Sequence, residues 1–202
     1  MKGLRSRRSL ILSVCMFLLT AVCLCGFGAS AQAAGVSASK VKKQADKIIK
    51  KQTKKISKKD KAARLERILQ YADRSFAFAQ RADSAFIEAA RDHMLSDKNL
   101  RSAAYTMMKK RKGTCFHEAA ALAYLIKRAA GCPTKMVIGQ TDAFSGKKQS
   151  HAWVEAYVDG VWMVFDSNLD RTKGGAMNWF RIPADASDPR YTHYTKVWEK
   201  AV

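Results

Sequence analysis

The chain has 202 residues, 48% of them hydrophobic, with 37 lysines and arginines against 17 aspartates and glutamates, for a formal charge of +20 at pH 7. That length and apolar content support one globular domain with additional segments and argue against two domains. No internal repeat is present, which excludes a repeat architecture.

Residues 1–33 read as an export signal. Lys2, Arg5, Arg7 and Arg8 form a positive start, Leu10 to Phe27 is apolar, and Ala29-Ser30-Ala31 and Ala31-Gln32-Ala33 offer small-x-small cleavage sites. The apolar run approaches the ~18 residues that span a bilayer, so retention as an N-terminal anchor is the alternative. Cys15, Cys23 and Cys25 would leave with the signal, and none has the surroundings of a lipoprotein acceptor. Removing the four signal charges from +20 leaves +16 for a mature chain expected to be secreted or attached to the cell surface.

Residues 34–61 read as a Lys-rich linker or loosely helical arm. Lysines at positions 40, 42, 43, 47, 50, 51, 54, 55, 58, 59 and 61 face only Asp46 and Asp60, with Val41, Ile48, Ile49 and Ile56 as the apolar content. Lys40–Lys61 is then either a solvated spacer or an attractor of polyanions outside the cell, such as an anionic cell-wall polymer or a lipid surface. No aromatic residue interrupts it, so specific nucleic-acid recognition by base stacking is not expected.

Residues 62–202 read as the folded domain, expected to be a monomer. From Lys61 to about Leu95, the spacing of Leu65, Ile68, Leu69, Ala72, Phe76, Ala79, Phe86, Ala90 and Met94 predicts one long helix or two shorter ones. A further helix, Asp97 to Lys110, would bury Leu100, Ala104, Met107 and Met108. The run Lys109 to Lys112 is either its solvated end or a positive field beside the residues that follow. Thr114 is an acceptable N-cap, and Ala119, Leu122, Ala123, Ile126 and Ala130 predict a helix that ends at Gly131-Cys132-Pro133. Cys115 falls in its first turn, where the helix dipole and free amides can favour a thiolate. His117, two residues on, points to another side of the helix and is a poor base for that thiol.

Thr134 to Gln140 reads as a short strand, and Thr141 to Ser150 as a polar loop bordering the site. Asp159-Gly160 is a two-residue turn signal that pairs Val158 with Val161, Trp153 with Asp166 and His151 with Asn168. One hairpin face then carries His151, Trp153, Glu155, Tyr157, Trp162, Val164, Asp166 and Asn168. The other, with Ala152, Val154, Ala156, Val158, Val161, Met163 and Phe165, is core. Asp166 is the diagonal neighbour of His151, and Asn168 opposite it is a second candidate orienter. Trp179 to Pro183 reads as a last strand, and Tyr191 to Trp198 as an aromatic segment covering the sheet. His93 and His193 have no partner visible in the sequence. Cys115 and Cys132, roughly 22 Å apart along the helix, cannot form a disulfide.

A cysteine opening a helix, that helix ending in a Gly-x-Pro turn, a strand, then HAWVE-Y-DG-W followed by an aspartate resembles the core of the transglutaminase-like superfamily. The resemblance covers roughly residues 100–170. It implies a papain-like α+β fold in which N-terminal helices pack with a small antiparallel sheet and the nucleophile sits at a helix N-terminus. It also implies a Cys-His-Asp triad carried onto Cys115, His151 and Asp166, with Asn168, Trp153 and Tyr105 as supporting candidates. Tyr105 is considered because transglutaminases use a tryptophan upstream of the nucleophile, and Trp153, Trp162, Trp179 and Trp198 all lie downstream here.

The expected activity is a cysteine-nucleophile enzyme acting on peptide or protein amides through a thioester, with hydrolysis or acyl transfer to an amine as the outcome. The Cys115 N–H would be one oxyanion donor, and the sequence places no side-chain donor. The competing expectation is an inactive module of this fold that binds the cell wall or another polyanionic surface. No cofactor or metal is expected. Asp166-x-Asn168-x-Asp170 fails as a calcium loop because Arg171 stands where glycine is needed and Met177 is the twelfth residue. A zinc site from Cys115, His117 and His151 is disfavoured by the direction of His117 and the lack of a CxxC pair.

Overall fold

A buried helix that begins at Cys115 forms the centre of the molecule. The computed structural model describes residues 35–79 and 96–202. The expected export signal and its cysteines, together with Phe86, Ala90, His93 and Met94, lie outside the described residues.

In chain order the elements are α1 (Ala38–Gln52), α2 (Lys61–Ser75), β1 (Ala77–Phe78), α3 (Asp97–Lys110), β2 (Lys112–Gly113) and α4 (Cys115–Ala130). These are followed by β3 (Thr134–Thr141), β4 (Gln149–Val158), β5 (Val161–Phe165), α5 (Ser167–Thr172), β6 (Phe180–Pro183), a 3-10 turn (Pro189–His193) and β7 (Tyr194–Ala201). The five longer strands form one antiparallel sheet in the order β6-β5-β4-β3-β7. The fold is α+β, with helices α1 to α3 and the sheet packed against α4.

The Lys-rich segment expected as a linker or loose arm is the packed helix α1. Val41, Ala45, Ile48 and Ile49 fall on one stripe and are buried in the main core, while the lysines at 40, 42, 43, 47, 50 and 51 stay exposed. Burying each large aliphatic contributes on the order of 1.5–3 kcal/mol. Like-charge repulsion along the helix costs only about 0.2–0.5 kcal/mol per i,i+4 pair, so the stripe prevails. Ser37 caps the helix by accepting a hydrogen bond from Lys40 N–H.

α2 ends at Ser75 because Phe76 is extended, and its neighbours Ala77 and Phe78 pair in parallel with Lys112 and Gly113. That short bridge brings Phe78 to the chain just before Cys115. α3 runs over Asp97–Lys110 and buries Leu100, Ala103, Ala104, Met107 and Met108, close to the expected pattern. α4 is buried almost all round, since alanines let three helices and a sheet approach it together.

The β4–β5 register is the expected one. Val158 pairs with Val161 and Val154 with Phe165 across a turn in which Asp159 (φ 53°) and Gly160 (φ 90°) are both left-handed. Ala152, Val154, Ala156, Val158 and Phe165 join the main core. The opposite face holds a second core of Val137, Trp153, Val164, Leu169, Trp179, Ile182 and Tyr194. The expected strand pairing fails beyond Phe165. Asp166 becomes the N-cap of α5, so Asn168 lies in that helix, and the ladder partner of His151 is Gly139 on β3. The segment expected to cover the sheet is part of it, as β7 pairs with β3 along the edge.

Candidate active site

Cys115 is the first residue of α4 and is half-buried with a free thiol. Its N–H precedes the first intrahelical bond, which runs from Glu118 N–H to Thr114 C=O. Thr114 does not cap with its side chain; its hydroxyl bonds instead to His117 Nδ1 at 3.1 Å. His117 is therefore buried against the start of the helix.

His151 lies on β4 and is 1% exposed. Its Nε2 is 2.7 Å from Asp166 Oδ2, which leaves Nδ1 as the ring nitrogen available to the Cys115 thiol, with which the histidine also interacts. Burial opposes charge on this ring, but the Asp166 carboxylate, as charge and as hydrogen-bond acceptor, together with Cys115 outweighs it and lifts the His151 pKa to about 10. The pairing with Asp166 favours the imidazolium over the neutral ring. Trp153 stacks beside the ring at 6.2 Å between centroids, and Phe144 meets its face edge-on at 5.0 Å.

Asp166 is 2% exposed and fully engaged. Oδ1 accepts the Leu169 N–H as the cap of α5, and Oδ2 accepts both His151 Nε2 and, at 2.9 Å, the Tyr194 hydroxyl. Burial first, then the Asp166 charge, raises the Tyr194 pKa well above its usual value, so the phenol remains a donor. Tyr194 also packs on Trp153 at 4.7 Å.

A second buried carboxylate ties the two halves of the site together. Glu118, one turn after Cys115, accepts bonds from Ser167 Oγ (2.6 Å), Asn168 Nδ2 (3.2 Å), and Arg171 Nη1 and Nη2 (both 2.9 Å). Nucleophile helix and Asp166 helix are thereby clamped by a bidentate ion pair. The Asn168 amide belongs to this clamp and does not orient His151. Asp170 likewise serves the chain, accepting the Met177 and Trp179 N–H groups.

Cys115 and His151 open together into a cavity of about 330 Å³ lined also by Phe78, Phe144, Gln149, Ser150, Asn168 and Thr172. The loop before β4 borders the site as its sequence implies. Tyr105 does not line it: this tyrosine packs on the helical core with Lys40 Nζ 5.1 Å above its ring. It cannot stand in for an upstream tryptophan there. Cys132 is buried near Thr134. His193, for which the sequence shows no partner, contacts Asp142 at 2.6 Å.

Sequence reasoning missed Glu118, Tyr194, Phe78 and Gln149. The one available signal was Glu118, a lone acid in the helical run Phe116 to Ile126, where burial demands partners. Nothing local marks Tyr194, which reaches Asp166 from 28 residues away.

A helix-borne thiol facing a strand-borne histidine and a buried carboxylate, on an α+β scaffold, defines the class of papain-like cysteine sites. The chain belongs to the transglutaminase-like superfamily, whose family model matches residues 42–167 and so includes Cys115, His151 and Asp166. A candidate cysteine protease from Cytophaga hutchinsonii has a similar fold, with a TM-score of 0.50 and 16% identity over 79% of this chain and 42% of its own. A TGase structure gives 0.45 and 15% over 94% and 44%, and the periplasmic domain of TgpA from Pseudomonas aeruginosa 0.40 and 18% over 67% and 45%. The chain thus spans less than half the length of each. No curated protein matches the sequence.

Proposed function

We propose that this is an exported cysteine enzyme acting on peptide or protein amides through an acyl-thioester at Cys115. The observation that supports it best is the buried His151–Asp166 pair, with the ring held as imidazolium beside a thiol at a helix N-terminus. An adjacent imidazolium favours the thiolate, which is the nucleophilic form. The thiolate attacks the amide carbonyl, forming a C–S bond, while the charge that develops on oxygen meets the free Cys115 N–H. Gln149 and Ser150, which line the cavity and make no side-chain hydrogen bond among the described residues, are the side-chain donors available there. As the C–N bond breaks, His151 gives its proton to the leaving amine. The neutral ring then takes a proton from water or from a second amine, whose attack breaks the C–S bond and releases acid or a new amide. Asp166 holds the ring orientation through both steps and stabilises its charged form.

Iodoacetamide labelling followed by peptide mass mapping tests the nucleophile. Cys115 should alkylate faster than a free thiol below pH 7, and this advantage should vanish in His151→Ala. A Cys115 rate that follows an ordinary thiol profile in both proteins would exclude the catalytic reading. Export is tested separately, by locating the full-length chain in cell fractions.

A further inference from the structure

We propose that α1, the turn after it, the first turn of α2 and the last turn of α4 form a binding site for phosphate esters, independent of the Cys115 chemistry. A cavity of about 670 Å³ there is lined by Lys50, Lys54, Lys58, Arg64 and Arg128, with Asp46 the one acid among the described residues of its wall. Asp46 is already paired with Arg128 at 2.5 Å, so the five cations and one acid leave a formal excess of +4 around one concavity. The lysines that composition alone assigns to a free arm are thus divided. Some face open solvent, while these three converge on two arginines from other elements.

Arg64 makes this a built site. It is 8% exposed, and two edges of its guanidinium are fixed: Nε donates to Ala129 C=O at 2.7 Å and Nη1 to Thr53 Oγ1 at 2.8 Å. Thr53 is itself held, its hydroxyl donating to Ile49 C=O. Nη2 has no partner among the described residues, and Arg64 lines the cavity, so a pre-oriented part of the fork is left for a ligand. A guanidinium clamped in place loses little entropy on binding an oxyanion, and the surrounding lysines act as point charges. A single carboxylate would answer one of four excess charges, whereas a phosphate monoester such as glycerol phosphate brings roughly −1.5 to −2 and three acceptor oxygens, and a phosphodiester chain or lipid surface brings several single charges close together. Ile49, Ile56 and Ala129 supply an apolar wall for the carbon side of the ester. Arg128 and Cys115 sit near opposite ends of α4, about 20 Å apart at 1.5 Å per residue, so occupancy here does not require the thiol.

The test titrates glycerol phosphate into the full chain by calorimetry at low ionic strength. Lys50/Lys54/Lys58→Gln and, separately, Arg64→Lys should each weaken binding about tenfold or more, because charge-assisted contacts are lost. Lys43/Lys47/Lys51→Gln removes the same charge from α1 outside the cavity and should change affinity less than about twofold. The triple lysine variant alters only exposed side chains, so it remains informative if Arg64→Lys fails to fold. Cys115→Ala should bind like the parent, which separates this site from the fate of the enzyme reading. Vesicles of phosphatidylglycerol, compared with phosphatidylcholine, identify the source. Vesicle binding lost only in the cavity variants supports a lipid headgroup. Glycerol phosphate binding lost there, with vesicles unaffected, supports a soluble phosphate polymer. No binding by the parent chain, or equal weakening in both triple variants, overturns the proposal.

Discussion

At the scale of single residues the site turns on Asp166, which accepts from His151, Tyr194 and the Leu169 N–H at once. Replacing it with asparagine removes the charge that offsets the burial of the imidazolium. The His151 titration should then fall from about 10 toward or below the ordinary histidine range, read from imidazole proton shifts. Turnover should drop by roughly 100-fold or more if the proposed mechanism holds. Asn168→Ala should leave the His151 titration unmoved, because its amide serves Glu118; a shift would give Asn168 a part in orienting the histidine after all. Tyr194→Phe keeps the packing on Trp153 and deletes one hydrogen bond, costing about 1 kcal/mol of stability. With His151 still charged at pH 7, a kcat unchanged in Tyr194→Phe would show that the hydroxyl has no part in positioning Asp166.

At the scale of elements, the position of Tyr194 depends on how closely β7 approaches β3. Gly139 permits that approach. A side chain there would begin 2.1 Å from the Thr195 carbonyl oxygen and 2.8 Å from Trp153 Cη2, and the first of these is backbone that cannot rotate away. Gly139 also sits at the irregularity in the β3–β7 register and pairs across β4 with His151. Gly139→Ala should therefore cost about 1–3 kcal/mol in a denaturant titration, as overpacking does. Because β7 must shift, it should also weaken the Tyr194–Asp166 contact. A midpoint equal to the parent's would mean the edge strand is free to move outward.

At the scale of the whole molecule, one buried and one half-buried group make stability fall as pH rises. The His151 pKa lies above its unfolded value, so its contribution is fully present below about 6.5 and is lost as pH climbs through about 10. Asp73, at the α2 side of the clamp, is pushed up to about 8 by burial first and then by the Asp170 carboxylate, and its buried Oδ1 has no hydrogen bond among the described residues. For that carboxyl the favourable neutral form is complete below about 3.8 and is lost by about 8. The thermal midpoint should decline between pH 6 and 10 in the parent and less steeply in Asp166→Asn. Asp73→Asn, which cannot ionise, should be more stable than the parent at pH 8, each kcal/mol gained raising the midpoint by roughly 2–4 °C. A parent midpoint that rises over this interval would contradict both assignments.

What could be read from the sequence was what local periodicity and turn chemistry control. The alanine-rich spacing after Thr114 and the αL glycine at 131 bounded α4, and Asp159-Gly160 set the hairpin register that puts Asp166 beside His151. These depend on residues near one another in the chain. Where the hairpin stops was not legible, because Asp166 leaves the ladder to cap α5 and takes Asn168 with it. The lysines of α1 masked a stripe of four buried residues, since composition weighs charge evenly while a helix sorts it onto one side. Only the tertiary structure decided that Tyr194 completes the carboxylate's hydrogen bonds, that Glu118 joins α4 to α5, and that Arg64 gathers lysines from α1 and its turn around one cavity. Each of those joins elements far apart in sequence, where the partner is chosen by packing and by the cost of leaving a buried charge unpaired.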